Sequence, residues 1–190
     1  GVGTDVGQAI TTDSFGNIYS TGYFEGTANF DPGAGTANLT SNGSSDVFVH
    51  KLNPLGDFIW AKSMGGTGTE GSNDIAIDYS MNIYLIGWFE GSADFDPGVG
   101  TTSLISNGSE DIFLQKLDSL GNFLWATHMG GPDSDVGYGL TVDDLNSIYT
   151  IGNFKSTVDF NPGAGVSYLT SNGNIDCFAQ KLDQCITSTK

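Results

Sequence analysis

A period of 65 residues governs this chain. Asp13 recurs at Asp78 and Asp143, Tyr19 at Tyr84 and Tyr149, and Gly22 at Gly87 and Gly152. Phe30 recurs at Phe95 and Phe160, Pro32 at Pro97 and Pro162, Asp46 at Asp111 and Asp176, and Lys51 at Lys116 and Lys181. Every step is 65 residues, with no insertion or deletion. A fixed period of this length means one supersecondary unit that buries its apolar face against copies of itself. The expected units are 1–65, 66–130 and 131–190.

Within one unit the residue pattern predicts four strands. Residues 8–13 (QAITTD) lead through Ser14-Phe15-Gly16 into 17–24 (NIYSTGYF), and residues 46–53 (DVFVHKLN) lead through Pro54-Leu55-Gly56 into 57–62 (DFIWAK). Both read as hairpins, with glycine where the turn needs an unusual φ. A crossing segment from Thr27 to Ser45 joins them and carries Phe30-Asp31-Pro32-Gly33 and an Asn42-Gly43 turn. Val, Ile, Phe, Tyr and Trp dominate the strands, and no segment keeps a helical period. The fold class is therefore all-β. A trefoil has shorter units, and a solenoid has shorter rungs. Four antiparallel strands ending in Gly-Gly describe the blade of a β-propeller, with Ile18, Phe24, Phe48 and Leu52 packing between neighbouring blades.

These residues resemble the secreted bacterial β-propeller repeat known as SBBP. The resemblance rests on Asp46, Phe48, Lys51, Leu52, Gly56, Trp60, Gly65, Gly66, Asp13, Gly16, Asn17, Tyr19 and Gly22, with their counterparts one period on. It covers nearly the whole chain. The Phe-Asp-Pro-Gly loop is similar to the version common in secreted Bacteroidetes proteins. The second unit has Ser80-Met81-Asn82, and the third Leu145-Asn146-Ser147, where the first has Phe15-Gly16-Asn17, which puts the turn type in question. That family has no common catalytic activity, so the resemblance implies a fold and a secreted or cell-surface location more than a reaction.

Charge excludes some partners. Twenty-two acidic residues against six lysines leave a net charge of −16. Such a surface repels nucleic-acid phosphates and gives anionic lipid nothing to hold. No apolar run approaches the roughly 20 residues that span a bilayer. Many exposed carboxylates suit solubility outside the cell. The chain opens at Gly1, without an initiator methionine or signal peptide, as expected for a processed product or a piece of something longer.

A residue repeated in every unit serves what every unit needs, so chemistry is sought where the repeat breaks. No nucleophile, acid–base set or metal-ligand spacing emerges, and no catalytic, cofactor-binding or metal residue is assigned. His50 and His128 occupy inequivalent positions. Lys51, Lys116 and Lys181 read as ion-paired or hydrogen-bonded to a neighbouring blade, their stems covering apolar surface. Asp13 and Asp46, with their counterparts, read as turn-fixing acceptors of backbone N–H bonds. The loop Asn29-Phe30-Asp31-Pro32-Gly33 resembles the opening of a calcium loop, but lacks the closing bidentate acid; calcium is the one cofactor it admits. Trp60 and Trp125 read as blade packing. Trp88 replaces Tyr23 and Asn153, and is the candidate platform for stacking a sugar. Asn38, Asn42 and Asn107 match the N-glycosylation pattern but read as polar turns.

Both cysteines belong to the third unit. Cys177 takes the place of Val47 and Ile112, and reads as a small buried apolar residue; Cys185 takes the place of Leu55 and Leu120. Eight extended residues span about 26 Å, too far for a bond between them, so Cys185 is expected to be free or paired outside the chain. After Asp183 the repeat pattern fails, so the third blade is expected to lack its outer strand. That points to the C-terminal part of a larger propeller, or to pairing with a second copy.

The expected function is non-enzymatic. It is an extracellular propeller module serving as a structural scaffold or adhesion surface, with a protein or glycan at the cell surface as partner. A carbohydrate-binding propeller and a non-catalytic part of a secreted hydrolase are the alternatives.

Overall fold

The computed structural model describes residues 1–183. Among them every regular element is a strand, and every pairing of named strands is antiparallel. The first unit comprises β1 (Asp5–Thr12), β2 (Ile18–Phe24), β3 (Thr27–Asn29), β4 (Asn38–Thr40), β5 (Asp46–Leu52) and β6 (Phe58–Gly66). The second comprises β7 (Glu70–Ile77), β8 (Ile83–Asp94), β9 (Ser103–Leu117) and β10 (Phe123–Met129). The third comprises β11 (Val136–Val142), β12 (Ile148–Phe154), β13 (Thr157–Asp159), β14 (Tyr168–Thr170) and β15 (Asp176–Leu182).

Pairing repeats with the sequence. The order is β1-β2-β5-β6, then β7-β8-β9-β10, then β11-β12-β15. The expectation of a missing outer strand in the third unit falls on residues 184–190, outside the described residues, as does the state of Cys185. The crossing segment holds more structure than its sequence suggests. In the first and third units it forms small hairpins, β3–β4 and β13–β14. In the second unit it extends β8 and β9 themselves, so that Ser92, Ala93 and Asp94 pair with Ile105, Leu104 and Ser103. The extension of β8 also pairs with the end of β6, Gly65 with Asp94 and Gly66 with Ala93, which stitches the first unit to the second.

The turns survive their sequence changes. Gly16 has φ 81°, and Met81 and Asn146 at the equivalent positions both have φ 64°. Each donates its N–H to the carbonyl of the aspartate three residues earlier, Asp13, Asp78 or Asp143. The turn type is thus the same in all three units, held by the aspartate even where no glycine relieves the left-handed backbone.

The core lies between sheets. Because a strand's side chains alternate, each sheet has two faces. The first core packs Tyr19, Val47 and Val49 of the first unit on Ile75, Ile83, Leu85, Phe89, Phe113 and Leu117 of the second. The second core packs Tyr84, Ile86, Ile112 and Leu114 of the second unit on Leu140, Ile148, Phe154, Phe178 and Leu182 of the third. The middle sheet is covered on both faces. Phe48, Phe113 and Phe178 are all buried; Phe113 and Phe178 lie between sheets as expected, whereas Phe48 is covered by its own crossing loop and not by a neighbouring unit. Each lies against the Phe of the crossing loop, with ring centroids 4.9, 4.8 and 4.7 Å apart. Cys177 is the correction: it is exposed, not buried. It lies on the far face of the third sheet, which no other sheet of the described residues covers.

Candidate functional site

The recurring turn acids Asp13 and Asp78 are saturated. Asp13 Oδ1 accepts the backbone N–H groups of Phe15 and Asn17, and Oδ2 accepts Asn17 Nδ2 and the Tyr19 hydroxyl. Asp78 repeats this with Ser80, Asn82 and Tyr84. Burial works against the charge of both, yet these bonds outweigh it and hold the carboxyls below the ordinary aspartate range. The lysines complete the group. Lys51, Lys116 and Lys181 each place Nζ over the ring of Tyr19, Tyr84 or Tyr149, 4.8, 4.8 and 5.6 Å from its centre. Lys51 also donates to the Ser119 carbonyl of the next unit, and Lys116 pairs with Asp78 at 3.7 Å.

The Phe-Asp-Pro-Gly loop holds itself together. Asn29 Oδ1 accepts the N–H groups of Asp31 and Ala37, and Asp31 Oδ1 accepts that of Gly33. Asp94 and Asp96 do the same in the second unit, and Asp159 and Asn161 in the third. The oxygens that resemble the opening of a calcium loop are turned onto the loop's own backbone.

Each boundary between units holds a pair of buried acids. Asp46 of the first unit meets Glu70 of the second, and Asp111 of the second meets Asp135 of the third; all four are fully buried. Asp46 accepts the N–H and the side-chain amide of Asn42, and Glu70 accepts the Gly66 N–H. Among the described residues Glu70 Oε1 and Asp111 Oδ1 are buried with no hydrogen-bond partner. Burial pushes Glu70 up to about 7, with the nearby charges of Asp46 and Glu90 adding to it. Burial likewise pushes Asp111 up to about 6, with Asp135 adding to it, and raises Asp46 and Asp135 above the usual range. The repeat places Asp46 and Asp111 beside a turn. Their meeting with an acid from the next unit is a contact between sheets that the repeat does not show.

Two singular residues, His128 and Tyr168, meet at the second boundary. A groove of ≈ 770 Å³ runs between β10, the extended part of β9 and the third unit's crossing hairpin, and its lining includes Thr102, Asn107, Thr127, His128, Asp159 and Tyr168. His128 and Tyr168 stand where the first boundary has Ser63 and Ser103. Tyr168 is 64 % exposed. His128 is half-buried, its Nε2 3.9 Å from Asp111 Oδ2 and its ring edge-on to Phe89. Asn107 is held to Asp111 and to the Gly130 carbonyl. The groove therefore offers one exposed aromatic face, several hydroxyls and an imidazole.

The other sequence candidates lie elsewhere. His50 is half-buried between Phe30 and Phe58, and desolvation lowers its pKa. Trp88 is half-buried too. Its ring covers Gly71, where a Cβ would meet it at 2.9 Å, and stands edge-on to Tyr23. Trp60 and Trp125 stand edge-on to Tyr19 and Tyr84 as packing residues. The structure brings none of these to the groove. Tyr168 had one sequence signal: it breaks the repeat, as Trp88 does.

No family model matches the chain. It is similar to an uncharacterized WD repeat-containing protein of Acanthamoeba polyphaga mimivirus, 26% identical over 172 residues. The match covers 77% of this chain and spans 12% of that protein's length. The likeness is to a repeat protein, and it agrees with an all-β chain built of antiparallel sheets.

Proposed function

We propose that this chain is a non-catalytic interaction module, a run of β-propeller blades of the SBBP kind that presents a binding surface outside the cell. One observation carries the reading. The polar residues common to the units are engaged in turns, loops and unit boundaries, while the singular His128 and Tyr168 share a groove open to solvent. A propeller whose recurring turn acids Asp13 and Asp78 are saturated, and which carries one distinctive groove, is suited to holding a partner, not to turnover. The likeness to a WD repeat-containing protein supports an interaction role in general terms, and the net charge of −16 supports a soluble, strongly hydrated surface. A broad panel of hydrolase and redox substrates tests the absence of turnover. Activity lost on a single substitution in the groove would overturn it.

The groove favours a second reading, carbohydrate binding. An exposed tyrosine ring beside threonine hydroxyls and an asparagine offers a stacking face and hydrogen-bond partners together. A glycan array distinguishes the two readings. Saturable binding abolished by Tyr168→Ala and kept by Trp88→Ala assigns the groove to a sugar. Absence of glycan binding leaves a protein partner.

A further inference from the structure

Among the described residues the first and third sheets each leave one face uncovered, and the two faces are different. On the first sheet the open face carries Ile10, Ile18, Phe48 and Leu52. Their counterparts on the middle sheet, Ile75, Ile83, Phe113 and Leu117, are buried beneath the first unit. Ile10 is 73 % exposed, whereas Ile75 is 4 % exposed. On the third sheet the open face carries Tyr149, Ile151, Cys177, Ala179 and Lys181. Their counterparts Tyr84, Ile86, Ile112 and Leu114 are fully buried beneath the third unit. Ile151 is 54 % exposed. This face is hollowed into a trough of ≈ 580 Å³ lined by Gly139, Tyr149, Ile151, Ala179 and Lys181.

At both internal boundaries a Tyr/Lys face seats on a Phe/Leu face. We propose that the open Tyr/Lys face of the third unit seats on the open Phe/Leu face of the first unit in a second copy of this chain, head to tail. Such a junction continues the packing rule of the two internal boundaries, and two details of the first internal boundary have open counterparts on the first unit. Lys51 reaches the carbonyl of Ser119 in the next unit, and the repeat equivalent of Ser119 is Pro54, placing the Pro54 carbonyl within reach of Lys181 from a partner copy. Gly121 is covered by Trp60 of the preceding unit, with a Cβ there meeting the ring at 3.2 Å; its counterpart Gly56 has nothing within 4 Å. The two-fold related pair uses both faces of each copy and leaves neither sheet bare.

The groove at the second boundary is complete within one copy, so a monomer would leave it intact. Sedimentation equilibrium of the 190-residue chain tests it, at rising protein concentration and in enough salt to screen the net charge of −16. The expected result is a mass rising from 19.9 kDa toward twice that value. Ile10→Asp and Ile151→Asp each spoil one face at a position exposed in the single copy. Each variant alone should stay monomeric, and an equal mixture should associate through the one intact junction. In a Cys185→Ser background, the Cys177 thiol should react several-fold more slowly with a soluble disulfide reagent as association proceeds. A wild-type chain that stays monomeric overturns the proposal. So does association that persists in either variant alone, a mixture that stays monomeric, or Cys177 reactivity independent of concentration.

Discussion

Asp46 and Glu70 close their carboxylates over one glycine from two different units. A Cβ at Gly65 would lie 2.7 Å from Asp46 Oδ1 and 2.7 Å from Glu70 Oε2. At the second boundary Gly130 lies in the same relation to the Asp111 carboxylate. Two acids that meet out of water resist being ionised together, so the folded chain holds protons that the unfolded chain releases.

This arrangement gives an unusual pH dependence. Unfolded, Glu70 titrates at its ordinary value of 4.5; folded, it keeps its proton up to about 7. Asp111 moves likewise from 3.8 to about 6. Between those limits the folded state binds more protons, so stability is greatest at the acid end and is lost as pH rises. The melting temperature should be higher at pH 5 than at pH 7.5, and Glu70→Gln should shrink the difference by raising the value at pH 7.5. Below about pH 4 the trend should reverse as Asp13 and Asp78, whose carboxyls are held low, take up protons. Thermal melts across this range decide it. A melting temperature that climbs from pH 5 to 7.5 would contradict the assignment.

The glycines under the acids should tolerate no side chain. Gly65→Ala forces a methyl group between the two carboxylates, and Gly130→Ala forces one onto Asp111. Each should destabilise by roughly 1–3 kcal/mol, as overpacking does. Urea unfolding measures it, and Gly56→Ala, at φ 87° with open space around it, separates backbone strain from crowding.

Recurrent phenylalanines should not contribute equally. Phe113 lies in the core between the first and second units, whereas Phe48 lies in a small cluster with Phe24 and Ala28 on the uncovered face. Phe113→Ala should cost about 3–5 kcal/mol, and Phe48→Ala measurably less at protein concentrations where the chain is monomeric. Equal losses in urea unfolding would mean that the Phe48 face is already covered.

Met81 holds a left-handed backbone where the first unit has glycine. That conformation costs a side-chain-bearing residue about 1–2 kcal/mol, partly offset by glycine's greater freedom when unfolded. Met81→Gly should raise stability by about 0.5–1 kcal/mol. A calorimetric melt that falls instead would show that Met81 packs to advantage.

Much of the fold was legible because its determinants are local and repeated three times. Asp13 and Tyr19, six residues apart, join through a hydrogen bond that the hairpin dictates. The Phe30 ring reaches Phe48 because Pro32 and the Asn29 bonds set the loop's course. The paired acids were not legible, because Asp46 and Glu70 lie in different units and only the docking of two sheets brings them together. The burial expected of Cys177 failed for a related reason: its strand position is like that of Ile112, but Ile112 has a third sheet over it and, among the described residues, Cys177 has none.

By itself the sequence determined the period, the strand content, the hairpin turns and the recurring Asp–Tyr–Lys and Phe clusters, since each depends on residues close together in the chain or paired within one sheet. The tertiary structure decided which faces of the sheets meet. From that follow the buried carboxylate pairs, the groove that collects His128 and Tyr168, and the two open faces of opposite kind. Those features depend on how one twisted sheet lies across the next, and no periodicity along a strand encodes that angle.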